Sequence, residues 1–309
     1  MTVGSHTTVL LEEAVEALMA GISGSSDGAV YVDGTFGRGG HAAAILSRLR
    51  GSDRLVAFDK DPEAATTAKG LQEQYPAFTF YRESFRHLDY AGSGLAGVLL
   101  DLGVSSPQLD DGSRGFSFQH QGPLDMRMDN TRGETAADFI NRASEQDIAR
   151  VLKEYGEERF ARRIAAAVVR RRVQQPFTTT RDLAEVVAAA NPAWEKHKHP
   201  ATRTFQALRI RVNQELDDLD VVLGKVIDLL AVGGRLVVIS FHSLEDRRVK
   251  HFMRSEARGQ QIPRGVPIRG DELGQRLQLV GKATRASKRE QSDNPRARSA
   301  IMRVAERIA

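Results

Sequence analysis

Nine consecutive residues, Asp33-Gly34-Thr35-Phe36-Gly37-Arg38-Gly39-Gly40-His41, have the composition of a nucleotide-type binding turn. They follow a β-prone run, Ala29-Val30-Tyr31-Val32, and lead into Ala42 to Leu49, which reads as a helix. A strand, a glycine-rich turn and a helix start allow close backbone approach and leave N–H groups free for a ligand. Gly37-x-Gly39-x-x-Ala42 fits the loose dinucleotide fingerprint, so a nicotinamide or flavin cofactor is one reading. Asp33 supports another. A carboxylate there pairs with an ammonium but repels a pyrophosphate, which suits S-adenosylmethionine with its cationic ammonium and sulfonium. The turn alone leaves both ligands open.

Two more acids end strand-like runs. Asp59 closes Arg54-Leu55-Val56-Ala57-Phe58, about twenty residues beyond the turn, where doubly wound folds place the carboxylate that binds ribose hydroxyls. Asp61, just before Pro62, is the better helix cap of the pair. Asp101 closes Gly97-Val98-Leu99-Leu100 and precedes Leu102-Gly103-Val104-Ser105-Ser106-Pro107-Gln108. Enzymes that methylate exocyclic base amines carry a short acidic or amide residue followed by a Pro-Pro-aromatic segment here. The amine lone pair is delocalised into the ring, so acceptors near its N–H bonds help pyramidalise it for in-line attack. Asp101 takes the register of the polar residue, and Ser105, Ser106 and Pro107 form a turn able to orient the amine. The competing reading is a strand-end acid followed by an ordinary Ser turn.

The elements that must carry these residues alternate. His6 to Leu18 reads as a helix with Thr8 as a cap, and Gly21 to Gly28 as a loop. Phe78–Tyr81 is a third strand, followed by Phe85, which suits either an adenine face or the core. The alternation predicts a Rossmann-like α/β fold with a mostly parallel sheet and a site at the strands' C-terminal ends. It breaks from about Gly112 to Val212, where a glycine-bearing loop gives way to helical segments. These include Asp147–Leu152, Arg159–Val173 and a helix started by Thr180. The predicted domains are therefore 1–111 with 213–309, and an all-helical insertion at 112–212. A long helix, Asn213 to Leu230, ended by Gly233-Gly234, leads into a fifth strand, Arg235–Ser240. Ser243 would cap the next helix, a Gly/Pro/Arg loop spans Gly259–Gly270, and Leu277–Val280 and Ala300–Val304 bring the sheet to seven strands.

Other polar and aromatic residues carry two readings each. His242 follows the fifth strand and could face the site or be a satisfied structural histidine. His197 and His199 lack the helical spacing and carboxylate partners of a metal site, and no metal is expected. Phe116 and Phe118 suit base stacking or core packing equally. Trp194 is expected to anchor the helical domain.

Composition narrows the class. The 309 residues are 41% hydrophobic and 27% charged, as in a globular protein, and no apolar run reaches the length of a membrane helix. With no basic residue before the first apolar stretch, a cytoplasmic location is expected. The chain has no cysteine, which excludes disulfides, thiolate metal sites and the thiolate route to cytosine C5 methylation. The net charge of +4 is uneven: residues 150–211 hold fourteen Lys/Arg against six Asp/Glu, and residues 276–307 nine against three. Two basic blocks on an acidic remainder favour a polyanion such as nucleic acid over uniformly solvated charge.

Long runs of residues then resemble one family, the 16S ribosomal RNA cytosine-N4 methyltransferases of the MraW or RsmH type. They are His6–Glu13, Asp33–His41, Asp101–Asp110, Arg114–Phe118 through Leu124–Met128, His199–Ile210, Ser240–Arg247 and Asn294–Ala300. The resemblance implies a class I methyltransferase core with an inserted helical substrate-recognition domain. It also implies S-adenosylmethionine as cofactor, and direct transfer to N4 of one cytidine in the decoding region, without a covalent enzyme–base intermediate. By motif, Gly39, Gly40, His41, Asp59, Phe85, Asp101 and Gln108 would contact the donor, beside Asp33 and Gly37 from the turn itself. The implied partner is 16S rRNA within the small ribosomal subunit, with no membrane and room for a homodimer. One departure is Gly281–Ser287, which lacks the prolines usual there. A dinucleotide-dependent oxidoreductase and a non-catalytic RNA-binding assembly factor are the alternative functions.

Overall fold

The protein is described by a computed structural model over residues 8–22, 28–194, 199–259 and 274–309. It divides into two compact units, Met1–Gly103 with Asp217–Ala309, and Val104–Leu216. The second starts earlier than 112 because Val104 and Leu109 pack against the helical core. It ends later than 212 because Asn213 accepts from Met128 N and donates to Met126 O, and Glu215 pairs with Arg209.

The first unit contains strands β1 (Val30–Asp33), β2 (Arg54–Phe58), β3 (Phe78–Tyr81), β4 (Leu95–Asp101), β5 (Leu230–Ser240), β6 (Leu277–Leu279), β7 (Thr284–Arg285) and β8 (Ile301–Arg307). Their order is β3-β2-β1-β4-β5-β8-β6, with β7 also pairing β8. The first five run parallel, and β8 runs antiparallel to its neighbours. This is the expected Rossmann-like α/β core, mostly parallel with an antiparallel strand β8. Among the described residues the sheet has eight strands rather than seven, because the two residues of β7, paired with β8, are too few to show a period.

Helices cover both faces. α1 (Leu11–Met19), α2 (Gly40–Leu46) and α3 (Pro62–Gln74) build one apolar layer. Another is built by α10 (Glu215–Leu229) and α11 (Ser243–Arg258), numbered after the second unit's helices, with Leu100, Leu102 and Val238 from the sheet. A further helix of this unit is α12 (Lys288–Asp293). β4 is buried along its length, as a central parallel strand must be. Gly97 within it is required by close approach: a Cβ there would stand 2.7 Å from Leu18 Cδ1 of α1.

Local chemistry sets the helix ends. Asp61 caps α3 as expected, accepting from Glu63 N at 3.0 Å with Pro62 in the first turn. Thr8 does not cap α1, which starts at Leu11 behind a left-handed Leu10 whose N donates to Glu290 Oε1 at 2.8 Å. His6 and Thr7 lie outside the described residues, as do 23–27 of the first loop, His197 and 260–270 of the Gly/Pro/Arg loop. The long helix starts at Glu215, after Gln214 turns left-handed at φ 54°. β5 starts at Leu230, ahead of Gly233-Gly234, which sit where its register against β4 shifts.

The second unit contains α4 (Ser106–Asp110), α5 (Ala136–Arg142), α6 (Glu145–Glu154), α7 (Ala161–Gln174), α8 (Thr180–Ala190) and α9 (Ala201–Asn213) around its own core. Thr179 rather than Thr180 caps α8, accepting from Asp182 N at 3.3 Å. Thr180 is buried and accepts from Gly122 N while donating to His120 O. Phe116 is buried, and Phe118 stacks on His199 at 4.6 Å and meets Phe205 edge-on, so both rings serve packing. Trp194 is 64% exposed and does not anchor this unit. Among the described residues no helix is long and apolar enough to cross a membrane.

Candidate functional site

At the C-terminal edge of the first unit's sheet, the three acids occupy different electrostatic positions. Asp33, the last residue of β1, is fully buried. Its Oδ1 accepts from Thr35 N at 3.0 Å, whereas Oδ2 has no hydrogen-bond partner. Burial pushes its carboxyl up to about 7, with the Asp59 charge adding and the Thr35 N–H opposing. Asp101 ends β4, and its side chain is 22% exposed. Burial, then repulsion from Asp33 and Glu245, holds it well above the ordinary carboxylate range. Its Oδ2 lies 3.6 Å from His41 Nδ1, and Oδ1 is buried without a partner.

His41 does not supply a countercharge. It is buried in the first turn of α2, and burial drives its imidazole down to about 4 against an opposing hydrogen bond with the Val9 backbone. It is therefore neutral at pH 7. Asp59 has a bracing role: Oδ2 accepts from Gly37 N at 2.7 Å and Oδ1 from Asp61 N at 2.9 Å. Burial raises its carboxyl and these two N–H groups hold it back. Each oxygen keeps a second lone pair for a ligand donor.

The glycine turn is shaped by sterics. Gly37 and Gly39 take φ of 56° and 78°, the left-handed region that costs other residues strain. A side chain on Gly40 would collide with Thr8 Oγ1, so Thr8 packs on the start of α2. Phe85 opens a 3₁₀ turn, Phe85–Ala91, whose start is fixed by Ser84 Oγ accepting from Arg86 N at 3.2 Å. Its Cβ lies 3.2 Å from where a Gly34 side chain would begin.

Two contributors were missed by residue patterns. Thr35 Oγ1 accepts from Asp101 N at 2.6 Å and so ties the ends of β1 and β4 together. Asp218 accepts from Ser84 Oγ at 2.6 Å and Lys60 Nζ at 3.3 Å, and pairs with Arg86 at 3.3 Å. A hydroxyl two residues past a strand-end acid was a usable signal for Thr35; nothing local marked Asp218. His242 caps α11 in place of Ser243, its Nδ1 accepting from Glu245 N while Glu245 Oε2 accepts from Phe241 N and His242 N. The acceptor ring nitrogen wins this position because it reaches the third residue of the helix, as in a capping box.

The first unit thus brings together Asp33, Gly37, Gly39, Gly40, His41, Asp59, Phe85 and Asp101. Ser105, Ser106, Pro107 and Gln108 belong to the second unit, where they form the start of α4. Gln108 is buried there and its Oε1 accepts from Ser105 N at 2.9 Å.

Asp33 Oδ2 and Asp101 Oδ1 are the telling atoms. A buried acceptor left without a donor costs about 1–3 kcal/mol, so the edge favours a ligand that brings N–H donors or positive charge. It disfavours an anionic pyrophosphate, which removes the physical basis for a dinucleotide in this turn.

Comparison with known proteins shows the family. Residues 4–308 match the model of the MraW methylase family. A protein of Chromohalobacter salexigens named ribosomal RNA small subunit methyltransferase H is 57% identical over 98% of this chain and 92% of its own length. One of the same name from Thioalkalivibrio sulfidiphilus is 56% identical over 99% and 98%. A solved rRNA methylase from Streptococcus thermophilus overlaps 96% of this chain and 92% of its own at 12% identity and a TM-score of 0.40, too loose to weigh. On the family match and these identities, the chain belongs to the MraW methylase family.

Proposed function

We propose that the protein methylates the exocyclic N4 amine of one cytidine in the decoding region of 16S rRNA, using S-adenosylmethionine. The observation that carries the reading is the pair of buried, donorless carboxylate oxygens on Asp33 and Asp101. The relatives' shared name, ribosomal RNA small subunit methyltransferase H, supports the substrate class. When bound, the donor supplies an electrophilic methyl group beside a cationic sulfur. Asp33 receives its ammonium, Asp59 its ribose hydroxyls and Phe85 a face of its adenine, while Gly37, Gly39 and Gly40 give it room beside His41.

Asp101 then has an acceptor to spare for an amine N–H. Accepting that hydrogen bond would turn the N4 lone pair out of conjugation, so that it could take the methyl as the methyl–sulfur bond breaks, leaving neutral S-adenosylhomocysteine and releasing one N4 proton. No covalent attachment to the base is needed, consistent with a chain that has no cysteine. In this reading the first unit holds the donor and the second recognises the small-subunit rRNA.

Mass spectrometry of small-subunit rRNA from a deletion strain tests the substrate, with loss of N4-methylcytidine and its return on complementation as the expected result. An unchanged methylcytidine pattern would overturn the reading. For Asp101→Ala, donor affinity and single-turnover rate should be measured separately. A rate that survives at saturating donor while affinity collapses removes Asp101 from amine orientation.

A further inference from the structure

α7 carries five arginines and no acidic residue, and the structure sorts them into two groups. Arg171 and Arg172 are structural. Arg171 pairs with both oxygens of Asp182, at 2.7 and 3.0 Å, and lies 5.3 Å from the Phe177 ring centroid. Arg172 donates to Ile140 O at 2.7 Å and Ala143 O at 2.8 Å, satisfying carbonyls at the end of α5. Arg162, Arg163 and Arg170 are exposed, and no ion pair or hydrogen bond engages them among the described residues.

Helix geometry puts these three on one strip. Positions 162, 163, 166, 170 and 173 fall within about 100° of arc, and Arg162 and Arg170 stand roughly 12 Å apart along the axis. Position 166 is an alanine, leaving the strip low between its charges, and 173 is a valine that is 82% exposed. The opposite face, Ile164, Ala165 and Val168, is buried in the unit's core. Core packing therefore fixes which way the three guanidiniums face.

The strip is electrostatically unfavourable for the helix alone. Arg162 and Arg163 occupy its first turn, where the backbone dipole already favours negative charge and no acid is present. Four arginines of neighbouring helices in the same unit are matched with acids: Arg142 with Asp138, Arg150 with Asp147, Arg209 with Glu215 and Arg211 with Glu134. A helix start and three unmatched guanidiniums on one exposed face have the chemistry of a polyanion seat.

We infer that the Arg162/Arg163/Arg170 face of α7 binds the sugar–phosphate backbone of the RNA substrate, positioning it without reading its bases; the inference rests on the rRNA reading above. Of the five α7 arginines this face offers three contacts, because the adjacent Arg171 and Arg172 are already spent on folding.

The test is a salt titration of binding to 16S rRNA by the wild-type chain, an R162A/R163A/R170A variant and R162A alone. Binding of S-adenosylhomocysteine and the melting temperature are measured in parallel. Each phosphate contact on single-stranded RNA contributes about 0.7 to the slope of log K against log salt, so the triple variant should lose about 2 from that slope and roughly tenfold or more in affinity at low salt. R162A should lose about a third of that slope, with adenosylhomocysteine affinity unchanged in both. A triple variant that matches the wild type in RNA affinity and slope overturns the assignment of α7 alone. Loss seen only on the assembled subunit, with bare rRNA bound normally, would make the occupant an acidic protein and overturn it too. A wild type that binds adenosylhomocysteine but neither binds nor methylates rRNA overturns the underlying reading, and this inference with it.

Discussion

Asp33 connects the acidity of the site to its ligand. A carboxyl held at about 7 is only half ionised in neutral buffer. A cationic donor binds the ionised form, so its affinity should rise from pH 6 toward about 7.5, falling up to tenfold per unit below 7, and decline again above about 8 as the donor's own α-ammonium loses its proton. Titration calorimetry in buffers of different ionisation enthalpy should register release of up to about one proton per donor near pH 7. The stability effect has the opposite sign. Because the folded carboxyl is raised above its usual 3.8, the folded state holds its proton more tightly than the unfolded chain, and stability is lost as pH climbs from about 4 through 7. Asp33→Asn keeps Oδ1 for Thr35 N and removes the buried charge. The free variant should melt higher than wild type at pH 8, by an amount on the order of 4 kcal/mol at most, while losing donor affinity. A variant that neither gains stability nor loses affinity would place the ammonium elsewhere.

Among the elements, the first turns of α10 and of the 3₁₀ segment Phe85–Ala91 are joined through one side chain. Asp218 receives the Ser84 hydroxyl that also fixes the start of that segment, and it pairs with Lys60 and Arg86. Lys60 follows Asp59, and Phe85 stands between Ser84 and Arg86, so a single carboxylate secures the loops carrying the expected ribose and adenine contacts. Asp218→Ala should weaken adenosylhomocysteine binding about tenfold, near 1.4 kcal/mol. Asp218→Asn, which still accepts from Ser84, should recover most of that loss. Equal affinity in all three proteins, by calorimetry, would show the loops hold themselves. These elements also show the reach of sequence patterns. Asp61 before Pro62 and the buried run of β4 were legible because caps and strand periods are set within a few residues. β7, the His242 cap and the Thr8–Gly40 contact were not, since each depends on what the fold brings alongside.

Over the whole molecule, two compact units have separate apolar cores. The donor-edge acids belong to the first, while the second has helices and caps of its own. Adenosylhomocysteine at a hundredfold excess over its Kd should stabilise the first unit by about 2.7 kcal/mol. In hydrogen exchange, β1 and β4 should gain protection while α7 and α8 stay near their free rates. Equal gains throughout would show that both units open as one.

By itself, the sequence determined that alternating strands and helices carry acids at strand ends, that a glycine turn follows the first of them, and that a helical insertion bears concentrated positive charge. All of that is written in short-range periodicity and composition. Only the tertiary structure decided which atoms are left with work to do. Burial leaves one oxygen on each of Asp33 and Asp101 without a donor, Asp59 braces the turn, and two of the five α7 arginines are consumed by packing. Hydrogen-bond partners and desolvation are set by residues far apart in the chain, so no local pattern could have distinguished an acid that braces the fold from one that waits for a ligand.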